Sequence, residues 1–350
     1  MREVGQALRA GGVAAVYLVH GSVDGLGSLG VLAELARRAP AVDRALGGIR
    51  RHLAATPASD AGQFSESYAS LFDTAINPPN EPRIPVELFA WSGEDHHLGR
   101  ADGAVRLIDE MDRLGLRSGQ RVLLWGHGHA GNVFALATNL LAGHPHAVEQ
   151  FFRAAAIYYR WPLVGLVDVP VWERVASRLQ DPCPPLAGVA LDLVTFGTPI
   201  DYGWDSGGYR RLLHFIYHRP AAGLPIYRAA WPPELDDVLT AAGGDYVQQL
   251  GIAGTSRSPG LCFWRAHLAD RRLGRLVLGD PAEAEPLERF RAGAIVPDEG
   301  TTLLVDYGPS EGPITQHHAG HAVYTRKRWL LFHAEEVARR FYAAQASMVA

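Results

Sequence analysis

The sequence predicts an α/β fold, in which a mostly parallel sheet carries helices on both faces and residues 1–350 form a single domain. Apolar segments of strand length alternate with segments of helical periodicity, and strands separated by helices pair in parallel. The hydrophobic fraction of 47% and the charged fraction of 20% are typical of a globular chain rather than a disordered one. Two cysteines are too few for a disulfide scaffold, so an apolar core must hold the fold together.

Five strands are predicted from short apolar runs. Residues 13–19 are apolar without interruption, which is typical of a strand that is buried on both faces of a parallel sheet. The four other predicted strands cover residues 86–91, 121–125, 191–196 and 301–305. Each strand is followed within two residues by glycine, serine or aspartate, which favours a turn at that point.

Helical periodicity follows several of these strands. Residues 101–114 place four apolar side chains, from Ala104 to Met111, on one face, and Gly115 suits the end of a helix. The chain after the third strand carries an apolar stripe at i, i+3, i+4, i+7 and i+8 and predicts a helix that ends near Gly143. Two further helices are predicted over residues 31–38 and 334–346.

Two long stretches have no clear periodicity. Residues 40–85 are rich in proline, glycine and serine and predict an irregular insertion. Between the fourth and fifth predicted strands lie about a hundred residues with scattered tryptophan, proline and glycine. We interpret residues 207–290 of this stretch as a cap or lid inserted into the single domain.

Composition argues against several classes of partner. The formal charge is 33 − 37 = −4, so the chain lacks the basic excess that nucleic-acid binders usually carry. No run of 18 apolar residues predicts a transmembrane segment, and the first residues do not resemble a secretory leader, so we expect a cytoplasmic protein. No cofactor is expected, because no dinucleotide fingerprint is present and Lys327 is the only lysine, which excludes a P-loop.

The end of the third predicted strand carries the most informative motif. Ligands of a parallel sheet bind beyond the carboxyl ends of its strands. There the chain reads Gly126-His127-Gly128-His129-Ala130 and continues directly into a helix. A strand, a tight turn with small residues two positions before and after its centre, and then a helix form the nucleophile elbow.

With this motif the chain resembles the α/β-hydrolase superfamily, on its lipase and esterase side. His20-Gly21 after the first strand looks like the oxyanion loop, and Gly197-Thr198-Pro199 is similar to a turn in many lipase-like members. The resemblance implies an α/β-hydrolase fold and carboxylic-ester hydrolysis by a nucleophile, an acid and a histidine. The partner would be a small-molecule ester or a lipid-like substrate.

The resemblance also implies roles for individual residues. Asp306 and His321 follow the elbow in the family order of acid and base, and Asp201 is the alternative acid. The backbone amides of Ser22 and His129 would form the oxyanion hole. The pocket would be lined by His20, Gly21, His127 and Thr198.

The sequence departs from the family at the nucleophile position, which is Gly128. Glycine tolerates the strained backbone of the elbow but has no side chain that could attack a carbonyl. We therefore expect serine-type ester hydrolysis to be absent or very low, on a scaffold of the hydrolase type. The alternative is a non-catalytic ligand-binding protein, or pseudoenzyme, that kept the pocket.

Two weaker patterns in the sequence suggest other sites. Gly308-Pro309-Ser310-Glu311-Gly312 has the spacing of the elbow motif, but prolines flank it and no helical stripe follows, so it favours a loop. His96-His97 and His317-His318 could join His321 and Asp306 in metal-assisted hydrolysis, the second alternative. Adjacent histidines usually point in different directions, and no metal site is predicted.

Overall fold

One sheet organises the protein. A computed structural model describes residues 1–21, 63–161, 166–199, 201–230, 233–252, 259, 263–278 and 292–343. Its strands are β1 (Val13–Val19), β2 (Val86–Phe89), β3 (Arg121–His127), β4 (Ala190–Phe196), β5 (Arg211–Tyr217) and β6 (Thr301–Val305). They lie in the order β2-β1-β3-β4-β5-β6, and every neighbouring pair is parallel. The predicted α/β class with a parallel sheet is therefore confirmed.

The central strands are apolar because both of their faces are buried. Tyr17 and Val19 of β1 pack into one core, whereas Val16 and Leu18 point into a second core on the opposite side of the sheet. Alternate residues of a strand point to opposite faces, so a strand covered on both sides needs an unbroken apolar run.

Helices cover both faces of the sheet. The second core, which includes Val16, also contains apolar residues of α1 (Arg2–Ala10), α2 (Glu66–Ile76) and the last helix, α11 (Leu330–Phe341). The helices α3 to α6 and α9 contribute to the first core and cover His97–Arg113, Ala130–Leu141, Pro145–Tyr159, Pro170–Gln180 and Trp264–Leu278. The remaining helical segments are α7 (Leu235–Thr240), α8 (Tyr246–Gly251), α10 (Ile314–His317) and the 3₁₀ segments His318–Thr325 and Lys327–Trp329.

The sequence-based prediction of the cap is wrong for one segment. The strand β5 (Arg211–Tyr217) lies within residues 207–290 yet occupies an interior position of the sheet, between β4 and β6. Arg211 and His214 interrupt its apolar pattern, which hides the strand in the sequence. Burial of His214 is tolerated because its ring nitrogens bond the Thr195 hydroxyl at 2.6 Å and the Glu299 carbonyl at 3.2 Å.

Two other predicted segments have separate outcomes. The insertion predicted over residues 40–85 contains α2, which begins at its N-cap Ser65, whose Oγ accepts the Tyr68 amide at 3.3 Å. The helix predicted over residues 31–38 lies outside the described residues. Across the described part of the chain, no helix combines the length and the apolar character needed to cross a membrane.

Two buried histidines are expected to make the fold acid-sensitive. Burial lowers the pKa of His214 to about 4 and that of His333 to about 3, so both stay neutral in the folded protein at pH 5. In the unfolded chain they bind protons near pH 6.5. The free energy of unfolding should therefore fall between pH 6.5 and pH 4, by about 1.4 kcal/mol per pH unit for each histidine.

Urea unfolding at pH 7 and pH 5 measures this loss of stability. His333→Gln is the control, because glutamine can still bond the Tyr307 hydroxyl that lies 2.7 Å from Nε2 but does not titrate. The variant should lose less stability than the natural chain on going from pH 7 to pH 5. An equal loss in the two proteins would contradict the assignment to His333.

Candidate functional site

The turn after β3 has the tight geometry that the sequence predicts. Gly128 has a φ of +54°, in the left-handed region that favours glycine. Its amide donates to the Phe196 carbonyl of the neighbouring strand at 2.8 Å. A Cβ on Gly126 would lie 2.5 Å from the Phe134 ring, and one on Gly131 would lie 2.3 Å from Thr198 Oγ1. Small residues are therefore required on both sides of the turn.

The imidazole of His321 lies directly against this turn. The Cβ of any other residue at position 128 would lie 2.9 Å from His321 Nε2. On its other side, His321 Nδ1 lies 2.8 Å from Oδ2 of Asp245. A carboxylate accepts hydrogen bonds, so we assign the proton to Nδ1, which leaves the lone pair of Nε2 facing Gly128. The structure thus brings the predicted base, His321, to the predicted nucleophile position.

Asp245 is the carboxylate that the sequence analysis missed. It is fully buried, and its Oδ1 accepts the Gln248 amide at 2.9 Å as the N-cap of α8. Its Oδ2 also accepts the Tyr324 hydroxyl at 3.0 Å. These bonds leave the carboxylate little freedom to rotate away from His321. In the sequence, Asp245 is recognisable only as an aspartate just before a short helical segment. That position indicates a helix cap and does not indicate a contact with His321.

A close approach of two backbone segments places His321 beside Asp245. The 3₁₀ segment His318–Thr325 carries His321, and the residue before His321 is Gly320, whose φ is +94°. A Cβ on Gly320 would lie 2.2 Å from the carbonyl oxygen of Gly244, the residue before Asp245. Only glycine allows this contact between the loops.

The two acids predicted from the sequence lie elsewhere. The carboxylate of Asp306 is 51% exposed, accepts the Gly308 amide at 2.8 Å and lies 3.4 Å from Arg219. Asp201 contacts Arg100 at 3.1 Å, and burial raises its pKa to about 6. The prediction that Asp306 or Asp201 orients His321 is corrected, because Asp245 occupies that position.

Several predicted pocket residues do meet at the turn. The His127 ring packs on His321 with 4.2 Å between centroids, and its Nε2 donates to the His321 carbonyl at 3.0 Å. The Cα of Gly21 lies 3.6 Å from the Cβ position of residue 128. The hydroxyl of Thr198 donates to the Gly128 carbonyl at 2.8 Å and so holds the turn.

His20 lies at the same edge of the sheet but packs on another partner. Its ring stacks on Trp91 with 5.9 Å between centroids, and the Trp91 indole donates to the His20 carbonyl at 2.8 Å. Ser22, the other predicted oxyanion donor, lies outside the described residues.

His129 follows Gly128 and is the N-cap of α4, so its backbone amide lies at a helix N-terminus. Its Nδ1 accepts the Asn132 amide group at 3.0 Å, and its Nε2 lies 3.2 Å from Asp95. Burial, with the charges of Arg100 and His321, places the pKa of His129 well below its usual range. His129 is therefore a neutral anchor for the turn.

Arg100 holds the two carboxylates that lie beside the His129 ring. This arginine is fully buried and forms ion pairs with Asp95 and Asp201, the carboxylates on either side of the His129 ring. It also donates to the Tyr202 hydroxyl at 3.0 Å. No sequence pattern indicated this group of side chains, which we call the Arg100 cluster (Asp95, Arg100, His129, Asn132, Asp201 and Tyr202).

The histidines considered as metal ligands are distributed over separate environments. His97 Nδ1 bonds the Tyr202 hydroxyl at 2.8 Å, whereas His96 Nδ1 accepts the Gly99 amide at 2.8 Å. Across the described ranges, no three His, Cys, Asp or Glu side chains come together as a metal-binding group.

Comparisons with protein-family models, with curated proteins and with solved structures find no match for this chain.

Proposed function

We propose that this chain carries an ester-hydrolase site of the α/β-hydrolase type in which Gly128 replaces the nucleophile. Serine-type turnover is then absent or very low, and the pocket takes a small-molecule ester or a lipid-like compound. The observation that carries the proposal is the position of His321, between the buried carboxylate of Asp245 and the elbow at Gly128.

The chemistry of these three positions supports a hydrolase over a purely structural role. A buried carboxylate that accepts Nδ1–H holds an imidazole in the tautomer that can take a proton at Nε2. The His129 amide at the start of α4 can stabilise negative charge on a carbonyl oxygen. Both features serve ester hydrolysis, and neither needs a cofactor.

A non-catalytic binding protein is the second candidate, and Gly128 itself favours it. A chain without a nucleophile can still bind a carbonyl compound or a carboxylate through His321 and the amide of His129. This candidate predicts binding of such compounds without any gain of turnover when a nucleophile is supplied.

Gly128→Ser tests the proposal. The serine hydroxyl should come within reach of His321 Nε2 after the imidazole shifts by a few tenths of an ångström. We expect hydrolysis of p-nitrophenyl acetate and butyrate to rise by about 10²-fold or more over the natural chain, because a base-activated nucleophile is restored.

Gly128→Ala is the matched control for this substitution. Alanine imposes the same strain at a positive φ and the same Cβ contact with His321, but it has no hydroxyl. Only the serine variant should gain activity and react with a fluorophosphonate. Equal inactivity of folded serine and alanine variants would remove the hydrolase proposal and leave the binding protein.

A further inference from the structure

We propose that His321 of the natural chain activates a water molecule directly, so that the protein hydrolyses activated esters slowly, in one displacement and without an acyl-enzyme. This inference rests on the proposed hydrolase site and adds the nucleophile that the site would use. Under this inference, Gly128 contributes to the activity of the site because it leaves room for the water molecule.

The position of Nε2 carries the inference. Outside residues 127–129, the atoms nearest to the Cβ position of residue 128 are Nε2 and Cε1 of His321, at 2.9 and 3.5 Å, followed by Gly21 Cα at 3.6 Å. Because Gly128 has no Cβ, no side chain of that residue stands between the turn and Nε2. A water molecule beside the turn can donate a hydrogen bond to Nε2. Its oxygen would lie farther from the Gly128 Cα than the hydroxyl oxygen of a serine at this position, because the water is not bonded to the chain.

The imidazole is also prepared to act as a base. Its Nδ1 is committed to Asp245, which is fully buried and held by the Gln248 amide and the Tyr324 hydroxyl. The backbone carbonyl of His321 accepts His127 Nε2 at 3.0 Å. Side chain and backbone are thus both anchored, and the proton acceptor faces the turn. A histidine kept only for packing would not need this arrangement.

The step balances without a further reactant. Nε2 takes one proton from water as the water oxygen bonds to the ester carbonyl carbon, and the carbonyl oxygen becomes an oxyanion near the His129 amide. The tetrahedral intermediate then collapses and its bond to the alcohol oxygen breaks. The imidazolium returns its proton to that oxygen, so the products are one carboxylic acid and one alcohol.

The experiment compares the natural chain, His321→Ala and Gly128→Ala on p-nitrophenyl acetate. A positioned general base contributes typically about 10²–10⁴-fold, so His321→Ala should lower the rate above background by about 10²-fold. Gly128→Ala should fall towards the rate of His321→Ala, because its methyl group occupies the space beside Nε2. Thermal unfolding checks that each variant folds, and His321→Gln replaces His321→Ala if alanine is unstable.

A second readout identifies the nucleophile. The natural chain should show no burst of p-nitrophenol, no acyl adduct by intact-protein mass spectrometry and no loss of rate after fluorophosphonate treatment. A burst, an adduct or inactivation would overturn the inference, because each would reveal a side-chain nucleophile. A rate unchanged in His321→Ala would overturn it as well.

The outcomes separate this inference from the proposed function. If Gly128→Ser gains activity while the natural chain has no rate that depends on His321, the hydrolase site stands and water activation fails. If Gly128→Ser is folded and inactive and the natural chain is also inactive, both fail.

Discussion

Asparagine in place of Asp245 is expected to lower the ester hydrolysis of the Gly128→Ser protein by about 10⁴-fold. A triad carboxylate holds the histidine in the tautomer whose Nε2 accepts a proton and stabilises the imidazolium that forms. Asparagine offers an amide group that can donate to Nδ1, which favours the wrong tautomer. The asparagine carbonyl oxygen can still accept the Gln248 amide, and its amide group can donate to the Tyr324 hydroxyl, so the fold should persist.

Asp306→Asn in the same Gly128→Ser background is the matched control. This residue was the acid predicted from the sequence, but its carboxylate is exposed and lies beside Arg219. We expect its activity to stay within a few-fold of the parent, since exposed ion pairs contribute little. The measurement is the rate of p-nitrophenyl butyrate hydrolysis by the Asp245→Asn and Asp306→Asn variants, both in the Gly128→Ser background. A large loss in Asp306→Asn with activity kept in Asp245→Asn would reverse the assignment.

Removal of the Arg100 side chain is expected to produce the largest loss of stability. Arg100→Ala leaves Asp95 and Asp201 without the cation that lies between them, in a site where Arg100 is fully buried. Breaking a buried ion pair by removing one partner typically costs about 3–5 kcal/mol. The change also removes the ion pairs that hold the two carboxylates beside His129, the N-cap of α4.

The pH dependence of this variant should distinguish lost charge from lost volume. The pKa of Asp201 is already raised to about 6 by burial, and loss of Arg100 raises it further. A carboxyl with a raised pKa binds its proton more tightly in the folded state, so the variant regains stability as pH falls. Urea unfolding at pH 8 and pH 5 should show a smaller deficit at pH 5.

Arg113→Ala provides the control for arginine removal. Arg113 also pairs with an aspartate, Asp109, but its side chain is 65% exposed. Exposed pairs contribute about 0.2–1 kcal/mol, so the deficit should be small at both pH values. A deficit in Arg100→Ala no larger than that of Arg113→Ala would show that the Arg100 cluster does not stabilise the fold.

Local features of the sequence determined the parallel sheet and the turn. The unbroken apolar run of β1 and the stripe of α4 reflect burial, which acts on neighbouring positions along one element. The small residues at Gly126 and Gly131 reflect contacts of the same turn with Phe134 and Thr198. Such requirements repeat at fixed short spacings, so they can be recognised in the sequence before any contact is known.

Only the tertiary structure decided which carboxylate bonds His321. His321 lies at the predicted turn, but its carboxylate is 76 residues away in the chain and reaches it through the contact of Gly320 with Gly244. A hydrogen bond between two side chains requires only that they meet in space, and that meeting leaves no periodic trace in the sequence. Asp245 and Asp306 both lie between Gly128 and His321 in the chain, so the expected order did not distinguish them, and only the buried Asp245 contacts His321.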